Sequence, residues 1–480
     1  MLTPPGHTVT IGERAAATLA ASSTSNAFFV GFTERGSTEE AIYVVSMTDV
    51  VEKTGERIAT EPRLYDTLDA FFREGGSNAY IGRVNPGGAT ASKTLADAEG
   101  KKIRLVEAKS PGSWGNNIKV SVTLTGSNAV YVVKYNGVAV EQSPNLGSLA
   151  EEEAWSRENS LYITVSAEAE GEGEHPKTQE VTLSGGTYSP SGATTEQIES
   201  AIALFGKDLG PGQVAFPGNS SEAIGEAILA HCEATNRRAV LDAAEGASAA
   251  EVVSAAVALR GATGKFGTLM ANWAVIPGLS PGTVRRIPLS GVFMGLIARV
   301  ESEGFTPNKP AAGKRGRSKY VTDLVTKFTD AERAELDEAG AIPAILVRGV
   351  ATVYGDVTLT NPVTEKNWRS FASSRLAMGV AYLASLVLED YDFEEIDGHG
   401  YVFKKLQGDL SNVACMPYYL ANSFYGQTPA EAFIVNTGAD VNTPTSIANE
   451  EIKAQIAFRA SPHGRTLTVE VVKVPITESL

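Results

Sequence analysis

Phe71-Phe72-Arg73-Glu74-Gly75-Gly76-Ser77-Asn78-Ala79-Tyr80-Ile81-Gly82-Arg83-Val84 reads as a helix end, a stop and a strand in one short stretch. Leu64, Leu68, Phe71 and Phe72 recur at helical spacing upstream of the glycines. Gly75-Gly76 is a helix stop followed by a turn. Ala79 to Val84 then resumes as a strand. On the N-terminal side, the apolar run Ala27-Phe28-Phe29-Val30-Gly31-Phe32 predicts a buried strand, and Ile42 to Ser46 predicts a second. Strand, helix and strand in that order open an α/β unit.

On the C-terminal side the texture changes between about Lys101 and Ser184. Ile118 to Leu124, Val130 to Tyr135, Leu161 to Val165 and Val181 to Leu183 alternate with turn chemistry such as Asn136-Gly137. This predicts a β-rich insert, with Ala91 to Gly100 and Gly185 to Gly192 as its connections. Strand–helix alternation returns with strand Gln213 to Phe216, helix Ser221 to Asn236, strand Ala239 to Asp242, helix Ser248 to Arg260 and strand Thr268 to Ile276. The C-terminal third has an α+β texture. Leu346 to Tyr354 reads as a strand, and Asn367 to Leu388 as the longest helix, its stripe including Trp368, Phe371, Leu376, Leu383 and Leu386. Glu450 to Ala460 reads as a strand, and Leu467, Val469 and Val471 alternate with Thr468 and Glu470 as a closing one. At the other end, Pro4-Pro5-Gly6 forbids a helix, and His7-Thr8-Val9-Thr10-Ile11 alternates as an extended arm would.

The expected class is therefore α/β and α+β multidomain. Residues 1–26 form an N-terminal arm. Residues 27–97 and 189–344 form an α/β middle domain. Residues 98–188 are a β-rich insert, and 345–480 an α+β C-terminal domain with an extended C-terminal strand.

Composition removes several function classes. A formal charge of −15 is unsuited to coating nucleic acid, which needs Lys and Arg on the phosphates. It favours solubility and makes copies repel at long range. The two cysteines, Cys232 and Cys415, lie far apart, and the five histidines show no ligand spacing, so neither a disulfide framework nor a metal site is expected. No apolar run approaches the roughly 20 residues of a membrane-spanning helix. The first residues lack the basic start and apolar stretch of a secretory signal, so a cytosol-like compartment is expected.

Residues that imitate chemistry have plainer readings. Gly261-Ala262-Thr263-Gly264-Lys265-Phe266 departs from a phosphate loop, with Leu259 where the first glycine belongs and Phe266 after the lysine, and reads as a helix end and turn. Ser290 lies in Leu289-Ser290-Gly291 rather than a nucleophile elbow. Asp390, Asp392, Glu394 and Glu395 read as a solvated acidic loop. No cofactor is expected. A nucleotide-using α/β enzyme on residues 213–276 lacks a glycine-rich phosphate loop in the turns that would hold it.

Several segments, taken in order, resemble the tail sheath family of contractile phages and phage-like particles. Ala27 to Phe32 resembles the family's early strand, and Phe71 to Val84 its Phe-Phe-x-x-Gly-Gly, strand, Arg-Val pattern. Gly112-Ser113-Trp114-Gly115-Asn116-Asn117-Ile118 is similar to the Gly-x-Trp-Gly-Asn-x-Ile that opens the family's variable insert. Ile287-Pro288-Leu289-Ser290-Gly291, Gly295-Leu296-Ile297-Ala298-Arg299 and Pro310-Ala311 resemble a fourth block, and the helix carrying Arg375 a fifth. Gly185-Gly186 lacks the family's Asp-Gly continuation, and Thr443 to Ser461 is only loosely similar.

The resemblance implies a structural subunit, not an enzyme, with residues 98–188 as its outer domain, 345–480 as its inner domain and the 1–26 arm joining the inner domain. It implies stacked hexameric rings around an inner tail tube protein, contracting to drive that tube through a target envelope, with baseplate and tail terminator proteins at the ends. It implies a virion tail assembled in the host cytoplasm, or alternatively the sheath of a headless injection particle. Neither direct nucleic-acid binding nor membrane insertion is expected. Donated strands can tether neighbours through large rotations because main-chain pairing does not depend on side-chain detail. His7, Thr8, Val9, Thr10 and Ile11 are the expected donor, with Leu467, Thr468, Val469, Glu470 and Val471 as another donor or the acceptor. Lys314, Arg315, Arg317 and Lys319 are expected to face an acidic neighbouring subunit or the tube, against the plainer reading of a solvated loop.

Overall fold

A computed structural model describes residues 24–168 and 175–465. Both expected strand-exchange segments, residues 7–11 and 467–471, lie outside the described residues. The chain divides into two compact units, Met1–Tyr382 and Leu383–Leu480. That border lies within the long helix, whereas the sequence reading opens its last domain at residue 345.

The first unit begins with β1 (Ala27–Gly31), β2 (Ile42–Val44), α1 (Met47–Thr54), α2 (Arg63–Glu74) and β3 (Ala79–Arg83). The insert follows as β4 (Ser92–Ala96), β5 (Lys102–Ala108), β6 (Ile118–Thr125), β7 (Asn128–Tyr135), β8 (Val138–Gln142), α3 (Leu149–Glu158), β9 (Ile163–Ala167) and β10 (Gln179–Thr182). The α/β alternation resumes with α4 (Thr195–Ala203), β11 (Gln213–Ala215), α5 (Glu222–Thr235), β12 (Arg238–Asp242), α6 (Ala249–Ala258) and β13 (Gly267–Met270). After it come β14 (Trp273–Pro277), β15 (Val284–Pro288), α7 (Leu289–Ser302), β16 (Asp323–Leu324), α8 (Asp330–Ala339), β17 (Ala341–Ile342), β18 (Ala344–Val347), β19 (Val350–Val353) and α9 (Phe371–Glu389).

The central sheet has the order β17-β13-β12-β11-β1-β3-β2, parallel throughout except for β2. Its strands are apolar on both faces, as a doubly covered parallel sheet requires. One face packs on α2 and α7 through Phe29, Phe71, Val240, Phe293 and Ile297. The other packs on α4, α5, α6 and α8 through Phe28, Phe205, Val214, Ile228 and Leu336. The insert has its own core around Trp114, Tyr131, Val133 and Trp155. Its sheets are β10-β6-β7-β8 and β4-β5-β9, so Ser92–Ala96, expected to be a connection, is a strand of the insert.

Three other expectations are corrected. The strand expected over Thr268 to Ile276 is two strands in different sheets. Asn272 breaks it, its Nδ2 donating to the carbonyls of Thr326 at 2.9 Å and Ala344 at 3.0 Å. The strand expected over Leu346 to Tyr354 is the end of a hairpin, turned at Arg348-Gly349, both with positive φ. The long helix begins at Phe371. Trp368 ends a preceding single turn and, like Leu386, is 38% exposed, so neither belongs to a core stripe. At 19 residues and mean hydropathy 1.5, α9 passes the length and composition test for a membrane span. In the first unit it is nevertheless a core helix, with Phe371, Leu376 and Met378 buried and the buried Arg375 paired with Glu301.

The second unit carries α10 (Tyr401–Leu410), a π-helical turn over Ser411–Cys415, α11 (Met416–Leu420), α12 (Pro429–Ala432), β20 (Phe433–Asn436), α13 (Pro444–Ala448) and β21 (Gln455–Phe458). β20 and β21 form a two-stranded antiparallel sheet covering only part of the strand expected over Glu450 to Ala460. Phe424 stacks on Phe458 at 4.8 Å and lies 5.9 Å from Phe433.

Candidate assembly surface

The quoted stretch and the segment around Arg299 meet in space. Helix α2 ends at Glu74, and Gly75 follows with φ 121°, its backbone against Arg299. A Cβ on Gly291 would lie 2.8 Å from the Thr67 carbonyl, and one on Gly295 2.6 Å from the Phe71 carbonyl. These two glycines let α7 approach the backbone of α2.

The Glu74 carboxylate, fully buried, is the hub of this junction. Arg299 Nη1 donates to it at 3.1 Å, and the backbone amides of Lys319 and Tyr320 at 2.9 Å each. Ser318 Oγ also donates to it. Arg299 Nη2 donates to the carbonyls of Arg315 and Arg317. A loop rich in like charges is thus fastened by its backbone to one internal ion pair. The side chains of Lys314, Arg317 and Lys319 are left exposed.

The expected basic cluster is therefore brought together on that loop. Lys314, Arg317 and Lys319 are exposed, and Arg315 is half-buried with its guanidinium 4.3 Å from the centre of the Phe305 ring. With Val350 they line an open cleft of about 490 Å³. Among the described residues none of the four cations makes an ion pair.

At the root of the insert, Arg83 is buried and donates to the carbonyls of Gly36 at 2.9 Å and Pro111 at 2.6 Å. Burial pushes its pKa down from the ordinary arginine range. Trp114 is buried beside Tyr135 and Tyr162, and the Arg35 guanidinium lies 4.5 Å from the Tyr162 ring centre. Asn116 Nδ2 donates to the Gly186 carbonyl at 2.9 Å, and the Gly186 amide donates back to Asn116 Oδ1 at 2.9 Å. This amide clasp ties the entry of the insert to its exit. In sequence alone Asn116 carries no sign of this role, because its partner lies 70 residues downstream.

Residues that imitate catalysis are engaged structurally. Asp242 is buried at the end of β12 and accepts from Ser290 Oγ at 2.6 Å, the Ser290 amide at 3.0 Å and the Gly218 amide at 3.1 Å. Burial pushes its carboxyl up to about 6 despite those donors. His231 is pulled down to about 4 by burial and the Arg237 charge. Gly264 sits in a turn where a Cβ would lie 2.5 Å from the Leu359 carbonyl. Among the described residues no group of His, Cys, Asp and Glu is placed to hold a metal ion.

Residues 86–189 match the family described as the phage tail sheath protein beta-sandwich domain. Over the whole chain, solved sheath structures superpose. This is the tail sheath fold. The sheath tail protein of Listeria innocua is 16% identical with a TM-score of 0.63, over 86% of this chain and 89% of that one. The sheath tail protein of Desulfitobacterium hafniense is 15% identical with a TM-score of 0.57, over 90% and 93%. The sheath of an extracellular contractile injection system, PVC, in its contracted state is 14% identical with a TM-score of 0.59, over 99% and 98%. No curated protein matches the chain by sequence. The sheath fold accounts for the insert, whose matched stretch opens before β4 and closes after the Asn116–Gly186 clasp.

Proposed function

We propose that the chain is the sheath subunit of a contractile tail or tail-like injection particle. In this reading it polymerises as stacked hexameric rings around an inner tube and contracts to drive the tube through a target envelope. The observation that carries it is the superposition of nearly the whole chain on the contracted PVC sheath. The baseplate of the anti-feeding prophage contains a chain similar over 99% of this one, which supports a baseplate partner. The likeness to two injection particles also favours the sheath of a headless particle as the second reading. A tube protein and a terminator complete the proposed partners, in a tail assembled in the host cytoplasm. The role is mechanical, with residues 98–188 facing outward and 345–480 facing the tube.

The links between subunits are proposed to be donated strands, residues 7–11 from one copy and 467–471 as second donor or acceptor. Each backbone hydrogen bond contributes about 0.5–1.5 kcal/mol net, so a strand making five gives roughly 2.5–7.5 kcal/mol. Repeated around a ring, that offsets the repulsion between copies carrying −15 each. Deleting residues 1–20 tests the arm. Sedimentation velocity should show polymer for the full chain and a folded monomer for the deletion. Equal polymer from both would end the arm proposal.

A further inference from the structure

The second unit carries a loop whose chemistry is the inverse of the basic cleft. Phe393 is fully exposed, with φ 65°. A bulky residue held at positive φ is strained by about 1–3 kcal/mol, and such outliers concentrate at recognition and switch sites. The phenyl ring at this strained position stands in water. Asp390, Asp392, Glu394 and Glu395 around it are all exposed. Among the described residues none of these carboxylates is in an ion pair. The cleft of the first unit offers the complement: Val350 and Phe305, the latter faced by the Arg315 guanidinium, as apolar contacts, with Lys314, Arg315, Arg317 and Lys319 outnumbering the one lining carboxylate, Glu303.

We propose that the acidic, aromatic-tipped loop Asp390–Glu395 of one copy docks in the basic cleft of a second copy, with the Phe393 ring on Phe305 and Val350. The proposal rests on the sheath reading only for its setting, a polymer in which copies meet repeatedly. The occupant is a second copy because four unpaired carboxylates and an apolar tip match four unpaired cations and an apolar floor on the same polypeptide. Between chains of net charge −15, such a local inversion of sign also gives register, since like-charged faces are rejected. Exposed charge pairs are individually weak and salt-screened, so the buried phenyl would supply affinity and the charges orientation.

A photo-reactive benzoyl-phenylalanine in place of Phe393 tests this in the full chain, using an equal mixture of ¹⁵N-labelled and unlabelled protein. Irradiation should join position 393 to the peptide spanning residues 305–319 in mixed-isotope pairs. Reversing Lys314→Glu with Arg317→Glu should cut that yield about tenfold, and adding Asp392→Lys with Glu394→Lys should restore it. Restoration separates lost docking from misfolding. Cross-links within single-isotope chains only, to other peptides only, or not at all would overturn the docking. Mixed-isotope links in a protein that forms no tubes even with the tube protein as template would leave the docking standing and overturn the sheath reading. Tubes without those links would do the reverse.

Discussion

Glu74 accepts from Arg299, Ser318 and two backbone amides while excluded from water. Removing one member of a buried ion pair leaves the other charge uncompensated, which costs about 3–5 kcal/mol. Glu74→Ala should therefore lower the unfolding free energy read from urea titration by that amount, moving the midpoint down, and release the 313–320 loop to proteolysis. An unchanged midpoint would show that water replaces the carboxylate. Asp242 makes a pH-dependent prediction. Its folded value, about 6, lies above the ordinary carboxylate range, so between about pH 4 and 6 the folded state holds a proton that the unfolded chain has lost. Stability should fall as pH rises through that window, and urea midpoints of Asp242→Asn should not show that fall. Parallel pH profiles for the two proteins would remove Asp242 as its source.

Helices α2 and α7 meet through Gly291 and Gly295, where a Cβ would strike the Thr67 and Phe71 carbonyls. Gly295→Val should separate them and cost about 1–3 kcal/mol, more if the cleft loop detaches. A melting temperature equal to that of the parent would show that the helices can slide apart freely. At this scale the sequence was legible where periodicity and stops agree, as in Leu64 to Gly76 and the run Ala27 to Phe32. It was illegible where a single polar residue redirects the chain. Asn272 splits an apolar run by bonding to Thr326 and Ala344, more than fifty residues downstream. Ser92–Ala96 carries too weak an alternation to be seen as a strand without its partner β5. The helix α10 and its π-helical turn give no capping signal, since Gly400 makes no side-chain cap. The basic cluster was visible as charge. The Glu74 hub beneath it was not, because its donors lie more than two hundred residues away.

For the whole molecule, the proposed sheath role, in which rigid bodies rotate without separating, calls for firm interiors and links that survive reorientation. The first unit supplies firm interiors, with two cores on one sheet and a third in the insert. Proposed donated strands and loop-to-cleft docking supply links of two kinds, one main-chain and salt-insensitive, the other charged and screened by salt. Negative-stain electron microscopy of the purified full chain at high concentration tests the central claim most directly. Hollow, striated tubes of uniform width are the predicted result, with the tube protein added as template where the chain alone stays dispersed. Globular particles that remain dispersed with that template present would contradict the sheath assignment.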